Sequence, residues 1–293
     1  MHRSGTSLLT GLLGHVGVKM GRSLYKAQKG VNEKGFWEHE DIVDTHDELL
    51  LALNSQWDDL LPFQEGWTEN DVVRPFIGKL QNLVKRDFSD APVWALKDPR
   101  MCRLLPLWMP IFEKTEVKPT FICMNRNPFE VGASLQKRDR FSREKALVLW
   151  LSHSLYAERY SRGKSRLFVT FDEVVQNPVE VLLRIERAAD LAFPVPVTAA
   201  TDTINGFVSP SLRHHKADAV EEAEQDTLSS MAYRLYGIFR QTSADDKAFH
   251  QLVDAVASEF AAYQKTWSIE LVEQIRYLNE ERADYRIKFF RIY

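Results

Sequence analysis

The stretch that decides the fold is His2-Arg3-Ser4-Gly5-Thr6-Ser7, which runs directly into the apolar segment Leu8-Leu9-Thr10-Gly11-Leu12-Leu13. This change from small polar residues to apolar residues at helical spacing predicts a turn that opens a helix. Free N–H groups at a helix N-terminus and the positive end of the helix dipole form an anion site. Gly5 lets the backbone approach the anion, and Arg3 adds donors suited to phosphate or sulfate oxygens. The alternative interpretation is a well-capped surface helix.

The loop differs from the nucleotide-triphosphate loop G-x-x-x-x-G-K-[ST]. No lysine follows Gly5, and no glycine stands at the required distance before it. The sequence therefore disfavours a kinase or an ATPase.

Composition limits the class of protein. The chain has 293 residues, of which 44% are hydrophobic and 27% charged, so it is long enough for one large α/β domain with or without an appendage. The net charge of −3 argues against a nucleic-acid partner. The two cysteines, Cys102 and Cys123, provide neither a disulfide framework nor a zinc set, and no metal is expected. No apolar run has the length of a membrane span and no secretory leader is present, so we expect a cytoplasmic location, with an upstream leader or anchor as the open alternative.

Three apolar runs, at 92–96, 119–124 and 166–171, alternate with segments of helical periodicity. Such alternation predicts a parallel sheet covered by helices on both faces, an α/β fold with three P-loop-like layers. After residue 216 only helical patterns follow, so we expect one domain over 1–216 and a helical extension over 217–293. The last helices of the extension are candidates for self-association.

The position of the turn leads to one further expectation. A buried strand normally leads into a phosphate-binding turn in a doubly wound sheet, whereas here the turn stands at Met1. We therefore expect the natural chain to continue upstream with an apolar strand of about five residues. Without that strand, the segments 93–97 and 120–125 would have unpaired edges.

A second anion site is predicted at the end of the second apolar run. Arg126 follows the run directly, and Ser134 lies eight residues later on the helix that Pro128 begins. A guanidinium at a strand end and a hydroxyl two turns into the next helix can converge on one phosphate. The alternative is an arginine in a salt bridge and a serine that faces solvent.

Taken together, these motifs resemble the sulfotransferases that use 3′-phosphoadenosine 5′-phosphosulfate (PAPS). The stretch at 2–9 resembles their phosphosulfate loop, and Arg126-Asn127-Pro128 with Ser134 resembles their 3′-phosphate segment. The stretch at 171–178 is similar to a further family segment, and Lys97 stands where many members carry a strand-end lysine. The resemblance covers 1–216 and is closest to the bacterial-type, carbohydrate-directed branch, because of the stretches at 32–38 and 210–215.

The resemblance implies a role for each matching residue. The 5′-phosphosulfate would lie against the loop residues Arg3, Ser4, Gly5, Thr6 and Ser7. The 3′-phosphate would be held by Arg126 and Ser134, and Arg213 would reach the nucleotide from a late loop. Lys97 would add charge near the transferring group. The co-substrate would be PAPS, without a metal, and the acceptor a hydroxyl of a saccharide.

The catalytic base has to be argued separately. The cytosolic small-molecule branch of the family carries a histidine base shortly after its strand-end lysine, whereas this chain has Asp98 directly after Lys97. A buried carboxylate can accept the proton of a sugar hydroxyl. Glu38 is the first choice because it follows two aromatic residues close to the phosphate loop, and Glu33 and Asp98 are the alternatives. The minor candidates are histidines: His2, His39, His214 and His215.

Two other functions stay open at this stage. One is a phosphoryl-transfer enzyme of the P-loop class, which the missing loop lysine disfavours. The other is a non-catalytic nucleotide-binding scaffold protein, whose C-terminal helices would form the partner surface.

Overall fold

The structure is a computed structural model of the 293-residue chain. It describes residues 1–27, 35–208, 226–241 and 245–267, together with Gln274, Tyr277 and Leu278.

Eleven α-helices and two β-strands make up the regular structure of the described ranges up to residue 267. In chain order they are α1 (Thr6–His15), α2 (Glu40–Ala52), α3 (Arg74–Phe88), α4 (Met101–Lys114), β1 (Phe121–Asn125), α5 (Pro128–Asp139), α6 (Arg143–Ser161), β2 (Arg166–Thr170), α7 (Phe171–Gln176), α8 (Pro178–Ala189), α9 (Thr201–Phe207), α10 (Thr227–Gln241) and α11 (Lys247–Gln264). A short 3₁₀ helix covers Trp67–Glu69.

The sheet is smaller than the sequence predicts. β1 and β2 pair in parallel, from Phe121 opposite Arg166 to Asn125 opposite Thr170. The run at 92–96, predicted as a third strand, forms only an isolated parallel bridge between Trp94 and Lys19. A strand needs a continuous neighbour for its ladder, and a single bridging residue does not provide one. The described residues therefore form an α/β structure that is mostly helical, with a two-stranded parallel sheet, and the predicted three-layer sheet is not seen in them.

Helices cover both faces of this small sheet. In β1, Cys123 packs in a hydrophobic cluster with α6, whereas its neighbour Met124 packs with α1 and α8. Successive residues of a strand point to opposite faces, so α1 and α6 lie on opposite sides of the sheet. A third cluster joins α2, α3 and α4 around the fully buried Trp108.

The described helices of the predicted extension pack on the domain itself. Phe239 of α10 and Phe249 of α11 contact Phe168 of β2, with ring centroids 5.0 and 5.2 Å away. α10 and α11 therefore share one hydrophobic cluster with the sheet and α6. Self-association of the C-terminal helices stays a prediction, and most of 268–293 lies outside the described residues.

Two caps fix the backbone where the strands end. The Asn127 side chain accepts a hydrogen bond of 2.9 Å from the Phe129 amide, and Pro128 occupies the first position of α5. After β2, Thr170 and Glu173 form a reciprocal capping box at the start of α7. Arg126 is thus held between a strand end and a capped helix.

Every helix in the described ranges is too short or too polar to cross a lipid bilayer.

Candidate active site

The loop before α1 has the backbone that an anion site requires. Gly5 stands at the helix N-cap with a φ of 90°, and α1 receives no side-chain hydrogen bond from that cap residue. Leu8, Leu9, Leu12 and Leu13 of α1 are all buried, which disfavours the alternative of a surface helix. A Cβ on Gly5 would lie 2.4 Å from Cδ2 of Phe171, so the loop fits closely against the start of α7. Ser4 is 1% exposed.

Both predicted anion segments meet at Arg3. Its Nε donates a hydrogen bond of 2.7 Å to Oγ of Ser134, 131 positions along the chain. Arg126 donates to the Arg3 carbonyl oxygen, with 3.4 Å between Nη1 and O. Burial and the neighbouring cations Arg138 and Arg126 lower the pKa of Arg3, which marks a cluster of positive charge. Such a cluster suits an anion with more than one negative charge.

Arg126 is fixed from three directions. Its Nε donates to Glu130 over 2.8 Å, one helical turn further on. Its guanidinium lies 4.3 Å from the centroid of the Phe171 ring, within cation–π range. The Trp150 indole donates to the Arg126 carbonyl oxygen over 3.0 Å. The first two contacts restrict the side chain, and the third holds the main chain of Arg126.

On the other side of the loop, Lys97 joins α1 to Glu38. Its Nζ donates over 3.1 Å to Oγ of Ser7 and over 3.1 Å to the carbonyl oxygen of Phe36. The same Nζ forms a salt bridge with Oε1 of Glu38, which is 8% exposed. Burial raises the pKa of the Glu38 carboxyl against the opposing effect of Lys97, and burial lowers the pKa of Lys97. The predicted base and the predicted strand-end cation thus form one buried pair beside the loop before α1.

Asp98 has a different environment from Glu38. Its carboxylate accepts hydrogen bonds from Nδ1 of His46 over 2.7 Å and from Nη1 of Arg100 over 3.0 Å. The Arg100 amide donates to it as well, over 2.8 Å, and Trp108 donates to Nε2 of His46 over 2.9 Å. Burial opposes ionisation, but Arg100 and His46 outweigh it and hold the pKa of Asp98 below its ordinary value. All these donors keep Asp98 ionised and engaged in the interior.

His2 belongs to an aromatic group at the entrance of the loop. Its ring centroid lies 4.2 Å from that of Trp57, which stacks in turn on Phe141. Burial, followed by Arg100 and Arg138, lowers the pKa of His2, so the imidazole is neutral near pH 7. Its Nε2 is buried and has no hydrogen-bond partner among the described residues.

One cluster has ligand atoms at a spacing that suits a metal ion. His39, Asp41 and Asp87 offer one atom each, all within 4.8 Å of one another. Nε2 of His39 is 2.7 Å from Asp87, and the guanidinium of Arg86 forms salt bridges with both carboxylates. Nε of Arg22 also lies 3.7 Å from Asp87, so two arginines face the two carboxylates and we interpret the cluster as a salt-bridge network.

Glu33, Arg213, His214 and His215 lie outside the described residues. Sequence reasoning missed Glu130 and Phe171 as supports of Arg126, and His46 as the partner of Asp98. Glu130 could have been considered, because it lies in the first turn of α5, only four positions after Arg126. The contacts of Phe171 and His46 connect distant parts of the chain and leave no local signal.

No protein-family model, no curated protein and no solved structure matches this chain.

Proposed function

We propose that the chain is a PAPS-dependent sulfotransferase that moves a sulfuryl group to a hydroxyl, with a saccharide as the acceptor. The observation that carries the proposal is the hydrogen bond of 2.7 Å between Arg3 and Ser134. It joins the two segments that resemble the phosphosulfate loop and the 3′-phosphate segment of that family. A donor with phosphate at both its 3′ and 5′ positions needs two such segments side by side.

In the proposed complex the donor lies across these segments. Its 5′-phosphosulfate occupies the loop from Arg3 to Ser7, where backbone amides and the helix dipole act on it. Arg126 and Ser134 take the 3′-phosphate, through charge-assisted hydrogen bonds. Arg213 remains a proposed third contact to the nucleotide.

The transfer step follows from the same arrangement. The acceptor oxygen forms a bond to sulfur, while the bond from sulfur to the bridging phosphate oxygen breaks. The leaving group is adenosine 3′,5′-bisphosphate, and Lys97 and Arg3 stabilise the charge that grows on its 5′-phosphate. The hydroxyl proton passes to a carboxylate. Positioning and electrostatics supply most of the rate, as in phosphoryl transfer.

Glu38 is the proposed base. Its carboxylate is buried beside Lys97, which contacts Ser7 in the first turn of α1. A raised pKa makes a carboxylate a better proton acceptor at neutral pH, while the charge of Lys97 keeps it ionised. Asp98 is disfavoured, because Arg100 and His46 already engage its carboxylate. Glu33 stays the alternative base.

The resemblance also implies a larger sheet than the two strands seen here. We propose that these strands belong to a three-layer, P-loop-like fold. A cytoplasmic location stays a prediction.

The phosphoryl-transfer alternative keeps one supporting contact, because Lys97 reaches Ser7 and can act on a phosphate from outside the loop. A scaffold protein would bind the donor without consuming it. Calorimetric titration with PAPS, adenosine 3′,5′-bisphosphate and ATP tests the donor. We expect the two nucleotides with a 3′-phosphate to bind more tightly than ATP. A preference for ATP would replace the proposal by phosphoryl transfer.

A further inference from the structure

A cavity of about 660 Å³ lies between the 93–97 segment and β1. Leu9 and Leu13 of α1 line it on one side, and Leu105 of α4 and Ala157 of α6 line it as well. Because α1 and α6 cover opposite faces of the sheet, this cavity lies in the layer of the sheet itself. We call it the strand slot.

The backbone on one edge of the slot points into it. The Lys19 amide donates to the Val93 carbonyl over 3.3 Å, and the Ala95 amide donates to the Lys19 carbonyl over 2.9 Å. Backbone groups alternate in direction along an extended chain. Those of Trp94 and Leu96 therefore point away from residue 19 and toward the slot.

The opposite edge has the same property. The Phe121 amide donates to the Ser165 carbonyl over 2.9 Å, so the backbone groups of Phe121, Cys123 and Asn125 face β2. Those of Ile122 and Met124 point the other way, toward the slot. Within the described ranges, β1 pairs with β2 alone. Two facing rows of donors and acceptors thus border one cavity, which is the setting of a parallel strand.

The ends of the slot give its occupant a direction. Both edges run toward the phosphate loop, since Lys97 contacts Ser7 and Arg126 contacts the Arg3 carbonyl. Met1 lines the cavity at this end. A strand parallel to both edges would therefore end where the backbone enters the loop.

We propose that the strand slot accepts one extended apolar segment of about five residues, joined to Met1, as the parallel strand between 93–97 and β1. The segment is apolar on both faces because α1 covers one and α4 and α6 cover the other. It gives the loop a fixed backbone at its entry and completes a continuous sheet.

The test uses three extensions of the full chain in front of Met1, each preceded by the same short charged tag. The first consists of alternating Val and Ile with a final Gly, the second of Gly and Ser, and the third is the first with two prolines. Proline removes the amide that a central strand must donate. Thermal unfolding and amide hydrogen exchange are measured without any nucleotide, so the result is independent of the proposed function.

We expect the Val and Ile extension to raise the Tm by about 5 °C or more over the other two. It should also slow exchange at the amides of Ile122 and Met124 at least about tenfold. Ala157→Phe, which fills the slot from α6, should remove both effects. Equal Tm values and equal exchange in all three extensions would overturn the proposal. The proposal would also be overturned if an apolar dye bound the chain with the Val and Ile extension as well as it binds the other two chains, because the extension would then leave the cavity open to another ligand.

Discussion

Nε of Arg3 lies 2.7 Å from Oγ of Ser134 and donates a hydrogen bond to it, although 131 positions separate the two residues. Arg3 belongs to the loop that opens α1, and Ser134 lies on α5, two turns beyond Arg126. The fold thereby brings together two segments that the sequence predicts separately as anion sites. A single polyanionic ligand can contact both, which is why the proposed donor is a nucleotide with phosphate at two positions.

Arg126→Ala should weaken the binding of PAPS and of adenosine 3′,5′-bisphosphate about ten- to hundredfold. The substitution removes a charge-assisted contact worth about 1.5–3 kcal/mol. Calorimetric titration of both ligands measures the loss.

Arg187→Ala is the matched control, because Arg187 is exposed and pairs only at the surface with Glu180. Its donor affinity should equal that of the wild type. If Arg126→Ala bound both ligands as tightly as this control, the assignment of the 3′-phosphate site would be lost.

Glu38→Gln should reduce kcat about 10²- to 10⁴-fold and leave donor affinity nearly unchanged, because it removes the proton acceptor and keeps the shape. Glu40→Gln, two residues away at the start of α2, is the control and should retain kcat. Normal turnover of Glu38→Gln combined with an inactive Glu33→Gln would transfer the role to Glu33.

The pH dependence of kcat follows from the buried pair of Glu38 and Lys97. The base must be ionised, and burial raises the pKa of Glu38, so kcat should fall on acidification at a pH above the ordinary value of 4.5. The cation must stay protonated, and burial lowers the pKa of Lys97, so kcat should fall on the alkaline side below 10.5. A rate that stays constant down to pH 4.5 would argue against Glu38 as the base.

Asp98→Asn should destabilise the fold by about 1.5–3 kcal/mol near pH 7, because it removes the charge from a buried hydrogen-bonded pair with Arg100, which keeps Asp47 as its other partner. The pKa of Asp98 is lower in the folded state, so its contribution is present above the ordinary pKa of 3.8 and is lost as the pH falls below it. Denaturant unfolding should therefore show a gap between wild type and variant that closes in acid. A variant that is equally stable but catalytically inactive would instead make Asp98 the base.

Gly5→Ala should weaken donor binding and lower stability, since the new Cβ would lie 2.4 Å from the Phe171 ring on a backbone with a φ of 90°. That ring also supports the Arg126 guanidinium. Gly78→Ala in α3 is the control, because a Cβ there meets nothing within 4 Å. The control should be slightly stabilised, by about 0.5–1 kcal/mol, and should bind PAPS normally. Titration with PAPS and thermal unfolding compare the two variants. Equal donor affinity and equal stability of Gly5→Ala and Gly78→Ala would contradict the account.

Much of the fold was predictable wherever the signal is local. The helical periodicity of 7–16 predicted α1, and the apolar runs before Arg126 and Asp172 predicted β1 and β2 within two residues at each end. Pro128 marked the start of the helix after β1. The prediction of a full strand at 92–96 was wrong, because a strand forms only beside a neighbouring strand, and the apolar run does not reveal that neighbour.

The sequence predicted the individual residues of the candidate site, but it did not predict which of them contact one another. Arg3, Arg126 and Ser134 were each selected by type and position. No local pattern indicated that Glu38 pairs with Lys97 or that His46 forms a hydrogen bond with Asp98, because the paired residues lie 59 and 52 positions apart. Partners at such separation are fixed by tertiary packing, which a local sequence pattern does not reveal.

Transfer of ³⁵S from labelled PAPS to a panel of saccharides, lipids and phenols tests the central claim most directly. We predict that label appears on a saccharide hydroxyl, with one adenosine 3′,5′-bisphosphate released for each sulfuryl group transferred, and that Glu38→Gln slows both signals about 10²- to 10⁴-fold. Transfer of the γ-phosphoryl group of ATP to the same panel, with PAPS left intact, would contradict the account.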